Sequence, residues 1–235
     1  MKTIDALFLK LQLLSDEKTA GALRWFFKTG PGEYGEGDMF RGIRVPVLRK
    51  LCREFAHAGV YDALELLASG WHEDRLLGLL LLVERYRKSD EAQRRLIYTH
   101  YCSRTDRINN WDLVDLSCPP IVGSHLQHRD RSPLFRFAQS EILWERRIAI
   151  VSTFHFIRAG DFGDTLAIAE MLVDDREDLI HKATGWMLRE VGKRDVGVLE
   201  EFLSGYCRIM PRTMLRYAIE KLPEPRRQAW LKGQV

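Results

Sequence analysis

Trp111 and Asp115, near the middle of the chain, are of types that could stabilise a cation during bond cleavage. Their i, i+4 spacing puts indole and carboxylate on one face of a helix. A fixed carboxylate offsets developing positive charge, and an aromatic face turns negative quadrupole toward the same charge. Most such pairs are a packing tryptophan beside a cap or ion-pair partner, so the spacing alone does not decide. Lys182 and Trp186 repeat the i, i+4 arrangement. Arg75, Arg147 and Lys182 each follow a short polar stretch and precede a small residue within three positions of an apolar run. At helix starts, such cations would stand beside free N–H groups and a positive dipole end, which suits phosphate oxygens. Surface salt bridges are their ordinary alternative employment.

Other groups point away from chemistry. His125 and His128 are i, i+3, but no third ligand stands at metal spacing, and His72-Glu73-Asp74-Arg75 does not match HExxH. No metal and no cofactor is expected. The glycine-rich segment Gly30–Gly42 lacks the Gly-Lys-Ser/Thr ending of a phosphate loop. Trp71, Trp144 and Trp230 read as packing residues. Arg129, Arg131 and Arg136, around Pro133, form a basic patch that either touches phosphate or is a solvated loop.

The elements that must position these residues are helices. Apolar residues recur at i, i+3, i+4 and i+7 over 3–14, 16–28, 46–57, 61–69, 72–88 and 90–102. The pattern continues over 111–116, 141–158, 164–173, 178–191, 196–206, 213–221 and 225–232. Ser89 and Ser140 read as caps, and Pro119-Pro120 is expected to stop the Trp111 helix near Ser117. No stretch alternates as a strand. The segments around Arg75, Arg147 and Lys182 superpose, with separations of 72 and 35 residues, and halving the larger points to Trp111. That period lies slightly under the roughly 40–47 of HEAT and armadillo repeats. The expected fold is all-α: a HEAT-like α-solenoid of stacked helix pairs, one domain over 1–235, with a concave basic groove on its inner helices.

Composition sets the limits. The 235 residues are 46% hydrophobic, too rich for disorder. The longest apolar run, Leu76–Val83, is far short of the roughly 18 residues of a membrane span. Asp5 and Lys10 interrupt any secretory signal, and four scattered cysteines lack CxxC spacing, so a reducing cytoplasm and no membrane contact are expected. The net charge of +3 permits a polyanion partner without demanding one.

Four segments carry a family resemblance. Gly42-Ile-Arg-Val-Pro-Val-Leu-Arg49, Asn110-Trp-Asp-Leu-Val-Asp115, Trp144-Glu-Arg-Arg147 and Lys182-Ala-Thr-Gly-Trp-Met-Leu-Arg-Glu190 resemble AlkD-like DNA alkylation-repair glycosylases. The likeness runs from about residue 20 to about residue 192, with the elements in order and similarly spaced. It implies HEAT-like repeats that cradle duplex DNA and excise cationic N3- or N7-alkylated purines without flipping the nucleotide. By position, the implied catalytic cluster is Trp111, Asp115 and Trp186, and the implied backbone-binding arginine is Arg147. Implied or inferred DNA contacts also include Lys182, Arg75, His155, which stands where a lysine is expected, and an N-terminal aromatic at Trp25 or Phe26. Asn110 replaces a tryptophan found in some relatives.

The implied chemistry suits these residue types. An alkylated purine that is already cationic departs as a neutral base, so no general acid is required, and positive charge builds on the sugar instead. Asp115 would stabilise that charge and orient the attacking water. The expected partner is double-stranded DNA containing alkylated bases, bound by a monomer. The competing readings are a non-catalytic HEAT-like protein that binds damaged or branched DNA, and a protein-interaction scaffold.

Overall fold

The computed structural model describes residues 2–234. They form α1 (Thr3–Leu13), α2 (Glu17–Phe26), α3 (Val45–Glu54), α4 (Val60–Leu67), α5 (His72–Lys88), α6 (Glu91–Cys102) and α7 (Trp111–Cys118). A π-helical turn, Pro119–Gly123, leads into α8 (Ser124–Leu126) and α9 (Ser132–Ala138). Then follow α10 (Leu143–Ser152), α11 (Phe154–Arg158), α12 (Gly163–Met171), α13 (Asp178–Gly192), α14 (Val196–Tyr206), α15 (Arg212–Ala218) and α16 (Glu224–Lys232). The fold is all-α, and its one β-type pairing among the described residues is an isolated bridge between Met39 and Trp71. No helix among them is long and apolar enough to cross a membrane.

Two compact units divide between Ser117 and Cys118. In the N-terminal unit α5 packs against α4, α3 and α6, and α1 packs on α4. A helix surrounded in this way must be apolar on every side, and Leu76–Val83 is buried throughout. The close approach of α5 to α4 depends on Gly78, where a Cβ would stand 2.6 Å from the Ala63 carbonyl oxygen. In the C-terminal unit α13 is the central helix, packed on α10, α12, α14 and α15. Gly185 does there what Gly78 does in the other unit: its Cβ would meet the Met214 carbonyl oxygen at 2.5 Å. Gly78 lies three residues after Arg75 and Gly185 three after Lys182, which explains the small residue in those two segments.

Several local expectations are corrected. α7 ends at Cys118, one residue from the stop expected near Ser117, but the prolines open a π turn that carries the helical path on, its wider winding accommodating the missing N–H groups. The helix expected over 141–158 is divided at Thr153, whose hydroxyl donates back to the Ile150 carbonyl at 2.6 Å, competing with the helical ladder. Asp90, not Ser89, caps α6, accepting from the Gln93 amide at 2.9 Å. The segment around Pro133 is not a loop but α9, with proline in its first turn. There Arg131 pairs with Asp161 at 2.7 Å and with Asp164, and lies 4.0 Å over the Phe156 ring.

Candidate active site

α7 carries both residues singled out for chemistry. Asn110 caps it: its side-chain oxygen accepts from the Trp111 amide at 2.8 Å and its carbonyl accepts from Val114 at 3.1 Å. Leu113 and Val114 are buried, while Trp111 and Asp115 are half-buried one turn apart. Near its C-terminal end Ser117 is tied to the Tyr101 hydroxyl at 2.9 Å.

Trp111 rests on an aromatic platform. Its ring stacks on Phe27, with centroids 5.4 Å apart and planes 24° apart, and meets Phe26 edge-on at 6.0 Å. Phe27 stacks in turn on Phe40 at 5.1 Å. Phe26 therefore touches Trp111 directly, whereas the neighbouring Trp25 is 84% exposed at the end of α2.

Beneath the platform lies a buried polar network that the sequence reading did not find. His72, Glu73, Asp74 and Arg75 open α5, and all four are buried. The Glu73 carboxylate accepts from the amides of Arg41, Gly42 and Ile43 at 2.8, 2.8 and 3.0 Å. Asp74 takes a bidentate pair from Arg41 at 2.6 and 2.9 Å, and that guanidinium lies 4.8 Å over the Trp71 ring. Gly42 makes the loop's approach possible: its φ is +84°, and a Cβ there would lie 2.0 Å from the Asp16 carbonyl oxygen. Arg75 binds Asp38 at 2.7 Å and the Gly70 carbonyl at 3.1 Å. His72 joins Asp38 through Nδ1 and Asp112 through Nε2, both at 2.9 Å.

The electrostatics follow from that enclosure. Burial opposes the charged form of His72, but Asp112 and Asp38 outweigh it and push the imidazole up to about 9. Burial likewise opposes ionisation of Asp38, and the hydrogen bond from His72 with the charge of Arg75 reverses the sign and holds its carboxyl below the ordinary value. A signal was present in the sequence: four consecutive polar residues run straight into Leu76–Val83 on a helix with no solvated side.

Arg75 is thereby reassigned. Expected on a DNA-facing surface, it is 3% exposed and its charge is spent on Asp38. The cause is the Gly-rich loop, which brings Asp38 across 37 residues of sequence to the start of α5.

In the C-terminal unit the remaining candidates sit on neighbouring helices. Arg147 on α10 is buried and donates to the Leu179 carbonyl at 2.6 Å, at the start of α13. Lys182 on α13 is half-buried and pairs with Asp178 at 2.6 Å. Trp186, one turn later, is half-buried beside Phe154, with ring centroids 5.8 Å apart. His155 on α11 is held below its ordinary value by burial and by the charges of Arg158, Arg131 and His128, all of which favour the neutral ring. It can donate a hydrogen bond to phosphate but does not replace a lysine's charge.

No curated protein sequence matches the chain. Among solved structures, one described as a predicted DNA alkylation repair enzyme from Enterococcus faecalis is 17% identical, with a TM-score of 0.68, covering 89% of this chain and 97% of its own. At that identity the match speaks for the fold. The family model described as DNA alkylation repair enzyme matches residues 8–222, which takes in α7, the platform beneath Trp111 and the helices bearing Arg147, Lys182 and Trp186. The chain belongs to the DNA alkylation repair enzyme family.

Proposed function

We propose that the protein is a DNA glycosylase that hydrolyses the N-glycosidic bond of positively charged N3- or N7-alkylated purines in duplex DNA, without base flipping. The observation that carries the reading is α7, with Trp111 and Asp115 one turn apart, both half-buried, on a helix start anchored by buried contacts. In the proposed step the C1′–N bond breaks and its electron pair cancels the charge on the purine, which leaves neutral. Water oriented by Asp115 forms the new C1′–O bond and loses a proton to the carboxylate or solvent, leaving an abasic sugar. Between these events the sugar resembles an oxocarbenium ion, as in glycoside hydrolysis, with no acid needed for this leaving group. Asp115 stabilises that charge, and Trp111 and Trp186 each add cation–π attraction of roughly 0.5–2 kcal/mol.

The proposed grip on DNA comes from Arg147, Lys182, His155 and the exposed Trp25, within a single HEAT-like functional domain acting as a cytoplasmic monomer. Arg75 is left out because it is buried together with Asp38, which takes its charge, whereas the pair of Lys182 with Asp178 is open to solvent. The test is release of free base from duplex containing N7-methylguanine. Asp115→Asn is expected to lower the single-turnover rate roughly 100-fold while changing duplex affinity little, since its interaction belongs to the transition state. No release above buffer from the folded protein overturns the reading. Binding to four-way junctions without release would instead favour a DNA-binding protein that does no excision.

A further inference from the structure

Of the four polar residues that open α5, three address only the 38–43 loop or the residues just before α5, while His72 also reaches α7. Each ring nitrogen faces a carboxylate oxygen at 2.9 Å, Asp38 on one side and Asp112 on the other. An ionised carboxylate oxygen only accepts, so with both carboxylates ionised both nitrogens donate and the ring is the imidazolium. A neutral ring would point one lone pair at a carboxylate. The same ring lies 4.5 Å from Phe40, nearly parallel, and 4.8 Å from Phe27, which also stacks on Phe40 and on Trp111.

Two routes therefore run from His72 to the first turn of α7: a hydrogen bond to Asp112 and a ring stack through Phe27 to Trp111. We propose that the His72 imidazolium is a positioning residue, which sets the orientation of Trp111 and, one turn further along α7, of Asp115. The inference rests on the excision chemistry proposed above for its consequence, though not for its geometry. His72 touches neither sugar nor base; it acts through its neighbours. The charged groups that face it are Asp38 from the loop and Asp112 from α7, with Arg75 behind Asp38. Phe27 and Phe40 pack against the ring and bring no titrating atom. Burial alone would neutralise the ring, but the two carboxylates hold it charged to about pH 9.

The experiment has two readouts on wild type, His72→Gln and Asp112→Asn. The first is the Trp111 indole N–H resonance, assigned with Trp111→Phe, followed from neutral pH to about pH 10 in folded protein. In wild type it is expected to move with a midpoint near 9. In Asp112→Asn the midpoint is expected to fall toward neutrality, and in His72→Gln the signal is displaced at every pH and no longer titrates. The second is single-turnover release of N7-methylguanine at saturating enzyme, expected to fall roughly 10- to 100-fold in His72→Gln while duplex affinity changes less than threefold. A Trp111 signal that ignores the deprotonation of His72, or that is identical in wild type and Asp112→Asn, overturns the proposal. Should His72→Gln fail to fold, Asp112→Asn retains the Asp38 bond and decides by its midpoint. If no protein releases base, the excision reading fails while the indole titration still tests the positioning.

Discussion

Raising the pH should destabilise the N-terminal unit through a single histidine. His72 is 2% exposed with a carboxylate at each nitrogen, and its folded value of about 9 stands against 6.5 for a free imidazole. Between those values the folded state holds a proton that the unfolded state has released, so stability falls as pH rises. The contribution is fully present below about pH 6.5 and is lost as pH passes through 9. The difference of about 2.5 pH units corresponds to about 3 kcal/mol. Asp38 acts with the opposite sign in a different range: its depressed carboxyl contributes above the ordinary value of 3.8 and loses that contribution only in acid. Urea unfolding of wild type and His72→Gln at matched pH cancels the groups the two share. The stability difference between them should shrink by about 3 kcal/mol from about pH 6 to about pH 10. A difference that stays constant over that range would refute the charged-histidine assignment.

Gly185→Ala should lower thermal stability by several degrees, because the added Cβ would meet the Met214 backbone at 2.5 Å and neither helix can withdraw without opening the C-terminal core. Glu73→Gln should cost about 1–3 kcal/mol in urea unfolding, since an amide that keeps its oxygen toward the Gly42 and Ile43 N–H groups sets its NH₂ against the Arg41 N–H that the second carboxylate oxygen now accepts. Arg147→Ala should lower stability through loss of its bond to the Leu179 carbonyl and should also reduce the salt slope of duplex binding by about one. An unchanged slope would remove Arg147 from the DNA contacts and leave it as a strut between α10 and α13.

What was legible in the sequence was local. The periodicity that outlines α5 and α14 also puts Trp111 and Asp115 on one helix, because i, i+4 spacing depends on nothing beyond the turn itself. The π turn after α7 and the break at Thr153 were not legible. Proline and threonine have more than one way to end or bend a helix, and the choice is made by packing. The network under Trp111 was hidden for a different reason. Asp38, His72 and Asp112 are 34 and 40 residues apart, and no pattern within a single helix connects them. Only the way His72-Glu73-Asp74-Arg75 runs straight into the apolar stretch Leu76–Val83 pointed to something buried.

The three repeated cations make the same division sharper. Their shared feature in sequence is a positive charge shortly before a small residue, and the small residue has a common cause in Gly78 and Gly185, which let a neighbouring helix backbone approach. The charges have no common employment. Arg75 is closed onto a carboxylate from a distant loop, Arg147 onto a main-chain carbonyl at the start of α13, and Lys182 onto an aspartate one turn before it. A close helix contact leaves no room for a side chain, so it marks the sequence with a small residue wherever it occurs, here at Gly78 and Gly185. The partner of a long cationic side chain is set by whichever segment passes over that helix start, and that differs at each step. The fold can therefore be read from periodicity, whereas a DNA contact has to be argued cation by cation, starting with those whose charge is not already enclosed.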